Sequence, residues 1–334
     1  MTRLVQLKHP QHGRHVARVE NATLALLREV SSVYDLAEAA LQARTPLREL
    51  ANAIETFDLL DYEAIYTGVS DWQLLPAFDH PTDINACLVS GTGLTHRASA
   101  HHRQTMHDAT AQGNLTDSMK MYQLGEEGGR PAAGQIGAQP EWFYKGNGSV
   151  LRAHGEPLEV PSYARDGGEE PEVAGAYLVD EQGTPWRIGL AAGNEFSDHA
   201  MEQQNYLYLA PSKIRSCALG PELVITDAFK ALSGTVRIYR DEEVLWQKDI
   251  ATGEAHMAHS LANLEYHHFK YANHRVPGQA HVHFYGADAF SFGDNITLAH
   301  GDRMEVAWPD LGRPLQNPVR IDAALPSCFA VRGV

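Results

Sequence analysis

The chain is organised around residues 169–224, EEPEVAGAYLVDEQGTPWRIGLAAGNEFSDHAMEQQNYLYLAPSKIRSCALGPELV. Val173 to Val179 is apolar, contains β-branched and aromatic residues and is bounded by turn formers, which predicts a strand. Asp180 to Pro185 consists of turn-forming residues, and Trp186 to Ala192 has the pattern of a second strand. The stretch therefore predicts a β-hairpin.

Three carboxylates stand at the open end of this hairpin. A turn centred on Gly183-Thr184 places Glu172 opposite Glu195, and Glu170 shares the face of Glu172 where the chain is extended. Opposed residues have Cβ atoms about 4.5–5.5 Å apart, so these carboxylates repel unless a proton or a cation lies among them. Mg²⁺ prefers oxygen ligands and removes the repulsion. A solvated acidic rim is the alternative interpretation, and the spacing alone leaves both open.

The composition is that of an ordinary globular chain, with 334 residues, 43% hydrophobic and 21% charged. Its net charge of -15 argues against a nucleic-acid partner, because phosphates require a basic face. Cys87, Cys217 and Cys328 show no paired spacing, which is typical of a reducing compartment. There is no signal core and no apolar run of about 18 residues, so we expect a cytoplasmic protein without a membrane partner.

The first 83 residues predict a small α/β domain. Leu4 to Leu7 and Val16 to Val19 have the pattern of short strands, and Ser32 is a predicted N-cap for a helix through Ala43. Prolines and polar residues interrupt the periodicity between Pro76 and Asp83. We therefore expect a domain of residues 1–83 followed by a second domain of residues 84–334.

Five motifs in a fixed order resemble the fumarylacetoacetate hydrolase superfamily, over about residues 86–320. They are Trp142-Phe143-Tyr144-Lys145, Glu170-Pro171-Glu172, Gly193-Asn194-Glu195-Phe196-Ser197, Lys213 before Gly220-Pro221-Glu222-Leu223-Val224, and Gly301-Asp302-Arg303-Met304-Glu305-Val306 with Leu311-Gly312 and Asn317-Pro318-Val319. The resemblance implies a strand-rich α+β fold, a mixed β-sandwich roll with a small N-terminal α/β domain. It also favours the metal site over the solvated rim.

The resemblance implies roles for individual residues. The metal ligands would be Glu170, Glu172 and Glu195, holding Mg²⁺ or Mn²⁺, and the catalytic residues would be Lys213 and His96. The residues expected beside the substrate are Ser197, as the N-cap of a following helix, His199, which stands where the family has arginine, Arg215 and Gly286. Ser99 occupies the place of the glutamate that the family pairs with its histidine, which leaves the general acid or base open. A surface cluster is expected for His101, His102 and His107.

A divalent ion with three carboxylate ligands keeps open positions that a 2-oxo acid fills with its carboxylate and keto oxygens. The motifs are most similar to those of the branch that acts on sugar acids. The expected function is therefore a metal-dependent hydro-lyase, which dehydrates a 2-keto-3-deoxypentonate of arabinonate or xylonate type to 2,5-dioxopentanoate through an enolate. Lys213 would transfer the proton and His96 would assist departure of the hydroxyl group.

Other functions stay open at this point. They are a C–C hydrolase of 2,4-diketo acids, an oxaloacetate-type decarboxylase, and a non-catalytic sensor or scaffold stabilised by the metal. His281-Val282-His283 has the alternation of a cupin-type metal pair but lacks the downstream glutamate. The expected partner is a small 2-oxo acid, and the resemblance implies a homodimer.

Overall fold

The structure is a computed structural model that describes residues 1–98, 100, 116–326 and 328–334. Ser99 and the predicted surface cluster of His101, His102 and His107 lie outside the described residues. Within the described ranges the strands form a 13-stranded sheet and a 5-stranded sheet. No helix among the described residues has the length and apolar character needed to cross a membrane.

The larger sheet has the order β4-β3-β2-β1-β13-β11-β10-β16-β6-β7, with β5 beside β1, β12 beside β11 and β8 beside β12. Its strands are β1 Thr2–His9, β2 Gly13–Glu20, β3 Thr23–Leu27, β4 Thr56–Asp61, β5 Gln73–Leu74, β6 Cys87–Gly91, β7 Phe143–Asn147, β8 Leu151–Arg152, β10 Pro171–Val179, β11 Pro185–Asn194, β12 Cys217–Leu219, β13 Leu223–Ile225 and β16 Ala280–Phe284.

The smaller sheet has the order β15-β14-β17-β18-β9. Its strands are β9 Leu158–Val160, β14 Leu232–Arg240, β15 Glu243–Thr252, β17 Arg303–Ala307 and β18 Leu315–Ile321. The α-helices with both ends among the described residues are α1 Val33–Ala43, α2 Leu47–Ala53, α3 Tyr62–Tyr66, α4 Asp117–Gly128, α5 His199–Gln204, α6 Leu209–Lys213 and α7 Leu261–Phe269.

The hairpin β10–β11 lies in the middle of the molecule and is buried on both faces. Val173 and Tyr177 of β10 belong to the apolar core shared with Val306 and Trp308 of the small-sheet region. The alternate residues Ala174, Ala176 and Leu178 belong to a second core, which contains Val33, Leu36 and Ala37 of α1. This period-2 alternation, apolar on both sides, is that of a strand covered by structure on each face. The hairpin that the sequence predicted is therefore the central element of the fold.

The N-terminal strands continue the large sheet. The predicted strands are present as β1 and β2, and Ser32 caps α1 by accepting a hydrogen bond from Asp35 N at 2.9 Å. Strand β1 pairs with β13, with Leu4 opposite Leu223. The predicted strand-rich α+β fold is confirmed, whereas the division into domains at residue 83 stays a prediction.

A buried histidine cluster lies between β16 and α7. His281 and His283 share one face of β16, and His268 Nε2 lies 3.0 Å from His281 Nδ1. The ring of His268 stacks on that of His283 at 4.4 Å, and His283 also contacts the hydroxyl of Ser90 at 2.8 Å. In the described part of the chain, no group of three metal-ligating residues includes a histidine. The cupin-type interpretation of His281 and His283 is therefore not supported, because the described residues bring no third metal ligand to these two histidines.

We predict that His283 makes the fold sensitive to acid. Burial, assisted by neighbouring histidines, lowers the pKa of His283 to about 3, whereas an unfolded histidine titrates near 6.5. Below about pH 6.5 the unfolded chain binds a proton that the folded chain refuses, which costs about 2 kcal/mol of unfolding free energy at pH 5. Urea unfolding at pH 7 and pH 5 measures this loss.

The matched comparison uses two substitutions. His283→Gln should reduce the acid-induced loss by about 2 kcal/mol, because glutamine keeps a hydrogen-bonding side chain without titrating. His12→Gln, at an exposed position, should leave the loss unchanged. Equal acid-induced losses in His283→Gln and in the unsubstituted protein would contradict the assignment.

Candidate metal centre

The register of the central hairpin differs from the predicted one. Glu172 pairs with Gly193, and Glu195 N donates to Glu170 O at 3.0 Å, so Glu195 lies beside Glu170 rather than opposite Glu172. The turn is tightened by Asp180, whose carboxylate accepts the backbone N–H groups two and four residues later. A bulge between Ala176 and Tyr177 moves the pairing back by one residue toward the predicted register. The turn therefore changes which residues of the two strands face each other, whereas the three glutamates still converge at the open end of the hairpin.

The three predicted carboxylates nevertheless meet. Glu170, Glu172 and Glu195 each offer an oxygen, and these atoms all lie within 4.8 Å of one another. Their residues are 4%, 1% and 0% exposed, which excludes the alternative of a solvated rim. Burial and the charges of Glu195 and Glu170 raise the pKa of Glu172 well above its ordinary value. A divalent cation fits this donor set, since it would replace mutual repulsion by attraction.

Two buried lysines border the carboxylates. Lys213 Nζ donates to Glu195 Oε2 at 2.7 Å and also to Glu170 Oε1, and it forms an ion pair with Glu202 at 3.5 Å. Lys145 Nζ lies 2.5 Å from Glu195 Oε1. Burial and Glu170 raise the pKa of Glu195, and the two lysines oppose that rise. Two ammonium groups face the four carboxyl groups of Glu170, Glu172, Glu195 and Glu202, so the excess of acidic groups requires either a retained proton or a further cation.

Glu172 is held by the backbone of Gly286. Gly286 N donates to Glu172 Oε2 at 2.6 Å, at a backbone φ of +102°. A Cβ at this position would lie 2.0 Å from Thr95 Oγ1, so both the conformation and the space require glycine. The predicted substrate-side residue Gly286 is thus brought directly beside a carboxylate of the candidate metal site.

Ser197 and His199 both contact Glu170. The Ser197 hydroxyl donates to Glu170 Oε1, and His199 Nε2 lies 3.2 Å from the same oxygen. The predicted role of Ser197 as a helix cap is wrong, because its hydroxyl is committed to Glu170 and Asp198 caps α5 instead. Burial lowers the pKa of His199, but the hydrogen bond and charge of Glu170 outweigh it, so that pKa is raised. The imidazole stacks on Phe290 with ring centroids 4.7 Å apart.

Arg215 lies one layer further out. Its guanidinium contacts Asp198 Oδ2 at 3.2 Å and Asp166 O at 2.8 Å. Because Asp198 caps α5, Arg215 supports the start of this helix, whose first residue is His199. A substrate contact for Arg215 stays a prediction.

His96 is buried behind Gly286. Thr95 Oγ1 donates its one proton to Tyr285 O at 2.8 Å, so His96 Nδ1, 2.9 Å away, is assigned as the donor to that hydroxyl oxygen. His96 Nε2 lies 3.1 Å from Thr252 Oγ1. Burial, with a contribution from His256, lowers the pKa of His96 to about 3. The ring is therefore neutral at physiological pH.

Sequence reasoning assigned no role to two residues of this site. Lys145 belongs to the motif that begins at Trp142. Its alternation with Phe143 could have indicated its role, because residues two apart in a strand share a face. Both side chains do face the site, where the Phe143 ring lies 4.7 Å from Lys213 Nζ and Lys145 contacts Glu195. Glu169 is fully buried and accepts hydrogen bonds from Ser291 N at 2.5 Å and Ser291 Oγ at 2.8 Å. Glu169 thereby attaches the segment after Gly286 to the carboxylate strand.

Comparison with known proteins gives one curated relative and several solved structures. No family model matches the chain. A stretch of 131 residues is 30% identical to the probable 2-keto-3-deoxyxylonate dehydratase of Haloferax volcanii, and it covers 38% of this chain and 43% of that relative. The match thus spans less than half of the relative's length.

The solved structures share the fold over nearly the whole chain. The apo form of 2-keto-3-deoxy-D-arabinonate dehydratase has a TM-score of 0.71 at 19% identity, over 96% of this chain and 100% of that one. The form complexed with magnesium and 2,5-dioxopentanoate has the same score and identity, over 96% and 99%. The 2-hydroxyhepta-2,4-diene-1,7-dioate isomerase of Mycobacterium marinum has a TM-score of 0.59 at 15% identity, over 97% and 100%. The resemblance inferred from the motifs is confirmed in the fold.

We predict that Glu195→Gln weakens Mg²⁺ binding by roughly 100-fold or more, because the loss of a ligand exceeds the usual effect of a supporting residue. Isothermal titration of metal-free protein with Mg²⁺ measures the affinity. The control is Glu305→Gln, which alters another buried glutamate, paired with Arg237 at 2.7 Å in the small sheet. If Glu195→Gln and the control bind Mg²⁺ with equal affinity, the assignment of Glu195 as a metal ligand is wrong.

Proposed function

We propose that this chain is a magnesium-dependent hydro-lyase that removes water from a 2-keto-3-deoxypentonate and forms 2,5-dioxopentanoate. The observation that carries the proposal is the buried group of Glu170, Glu172 and Glu195 with the Lys213 ammonium 2.7 Å from Glu195. The magnesium and the 2,5-dioxopentanoate bound to a structure with this fold support it, as does the dehydratase name of the curated relative.

The three glutamates would hold the ion, as their convergent oxygens fit a hard cation. When bound, Mg²⁺ supplies a Lewis acid that polarises the 2-oxo group and makes a C3 proton removable. Lys145 and Gly286 keep their contacts with Glu195 and Glu172, which orients these carboxylates. The full burial of the site excludes water and strengthens each of these interactions.

Lys213 is the proposed proton-transfer residue. Its Nζ contacts both Glu170 and Glu195, so the amine lies at the border of the position that the carboxylates enclose. Removal of a C3 proton and of the C4 hydroxyl forms the C3–C4 double bond. Transfer of a proton from C5 to C3 then gives an enol with a C4–C5 double bond, and transfer of the proton of its C5 hydroxyl to C4 gives the C5 aldehyde of 2,5-dioxopentanoate. One base that takes and returns protons suffices for this sequence, with one water released.

His96 is the proposed assistant to departure of the C4 hydroxyl. Since burial keeps its pKa at about 3, it would act as a neutral imidazole that positions Thr95 by hydrogen bonding rather than as an imidazolium that donates a proton. This role accounts for a buried histidine placed between Thr95 and Thr252.

The setting of the enzyme is part of the proposal. Cys87, Cys217 and Cys328 are free thiols, which supports a reducing compartment and hence the cytoplasm. The breakdown of pentose-derived sugar acids follows from the proposed substrate, and a homodimer follows from the motif resemblance. Sedimentation velocity of the purified chain tests the dimer.

We predict that Lys213→Met lowers turnover by about 100-fold or more, the usual range for a lost general base. Metal-free protein is mixed with 2-keto-3-deoxypentonates, acylpyruvates or oxaloacetate, with and without Mg²⁺, and products are followed by proton NMR. Metal-dependent 2,5-dioxopentanoate is the expected product. Pyruvate with a short acid from acylpyruvate would identify a hydrolase instead, and pyruvate from oxaloacetate a decarboxylase.

The variant also has a thermodynamic signature. Lys213→Met leaves buried carboxylates without one of their cations, so the metal-free variant should melt lower and regain stability with Mg²⁺. Lys120→Met, at an exposed position, is the control for both measurements. Full turnover by Lys213→Met would exclude this lysine as the proton-transfer residue, whereas metal binding without turnover of any of these substrates by the unsubstituted protein would favour a sensor or scaffold.

A further inference from the structure

A fully buried tyrosine joins the candidate metal site to His96. Tyr285 N donates to Val173 O at 3.1 Å, next to Glu172. Tyr285 O accepts from Thr95 Oγ1 at 2.8 Å, the hydroxyl that also contacts His96. The next residue is Gly286, whose N–H donates to Glu172. The backbone of Tyr285 is therefore tied to both groups that the proposed reaction uses.

The side chain of Tyr285 anchors this arrangement at a distance. Its hydroxyl lies 2.5 Å from the Tyr177 hydroxyl, and Tyr177 donates to Glu265 Oε1 at 3.0 Å. Tyr285 is therefore assigned as the donor to Tyr177. Arg187 binds the same Glu265 oxygen from the surface side. The result is a continuous chain of hydrogen bonds from a partly exposed ion pair to the Gly286 segment.

The neighbouring strand leaves room for this hydroxyl. A Cβ on Gly175 would lie 2.0 Å from Tyr285 Oη, so the strand carries glycine where the tyrosine side chain crosses it. Phe229 packs on the Tyr285 ring with centroids 5.0 Å apart. The Tyr285 ring is thus confined on more than one side. Because Gly286 is the next residue, the position of this ring constrains the backbone of Gly286.

We propose that Tyr285 is a positioning residue, which acts through its hydroxyl to set Glu172 by way of Gly286 N–H and His96 by way of Thr95. The part that concerns His96 rests on the proposed function. The part that concerns Glu172 rests only on the carboxylates as a cation site. Tyr285 itself touches neither group with its side chain, so its effect must appear as a loss of placement.

The test compares two fully buried tyrosines, of which only Tyr285 is linked by hydrogen bonds to the candidate metal site. Tyr285→Phe removes the hydroxyl that reaches Glu265 through Tyr177, and Tyr62→Phe removes a fully buried hydroxyl that donates to Glu222 at 3.1 Å away from the site. Unfolding by urea and Mg²⁺ titration calorimetry are measured for both. We expect similar losses of stability, but about 10-fold weaker Mg²⁺ binding for Tyr285→Phe alone.

Kinetics adds the second part of the test. With the substrate found active, Tyr285→Phe should lower kcat by about 10-fold or more with a smaller change in KM, because misplacement acts chiefly on the transition state. Glu265→Gln keeps an acceptor for Tyr177 and should show a smaller change in the same direction. This variant also provides the test if Tyr285→Phe does not fold.

The outcomes distinguish failure of the positioning role of Tyr285 from failure of the proposed function. Unchanged Mg²⁺ affinity in Tyr285→Phe, or an equal decrease in Tyr62→Phe, overturns the positioning role. Weaker Mg²⁺ binding in Tyr285→Phe, in a protein that turns over none of the 2-oxo acids, supports the positioning of Glu172 and rejects the proposed function instead.

Discussion

The burial of three glutamates whose carboxylate oxygens lie within 4.8 Å of one another is the constraint on which this structure depends. Such a group is unfavourable without cations, and the surrounding elements supply partial compensation. Strand β7 brings Lys145 to Glu195, and helix α6 brings Lys213 to the same carboxylate. The segment after β16 brings the backbone N–H of Gly286 to Glu172. The fold can hold this charge because the central hairpin is covered on both faces.

Much of this arrangement was accessible from the sequence. The hairpin, the N-terminal strands and the capped helix α1 followed from apolar patterning and turn chemistry, since these signals are local. The acidic face of the hairpin also followed, because Glu170 and Glu172 are two residues apart and side chains alternate in a strand. The motif resemblance supplied the link to Lys213, which the structure places in contact with Glu170 and Glu195.

The rest depended on tertiary contacts that leave no local signal. The ladder register was mispredicted because the Asp180 turn shifts the pairing and the bulge at Tyr177 only partly reverses that shift, and neither is visible in the hydrophobic pattern. Lys145 acquires its contact with Glu195 only when β7 joins the far edge of the sheet. Tyr285 has no local sequence signal, because its hydrogen bonds run to residues 108 and 190 positions away.

A crystal structure with a bound ion would test whether the three glutamates form a cation site. Crystals of the metal-free protein would be soaked in Mn²⁺, and anomalous difference maps would locate the ion. We expect an anomalous peak among the carboxylates of Glu170, Glu172 and Glu195. The Lys213 ammonium should move away from Glu170 to make room for the ion. Mn²⁺ bound elsewhere, or an unchanged Lys213 ion pair with no peak between the glutamates, would contradict the claim that this enclosure is a cation site.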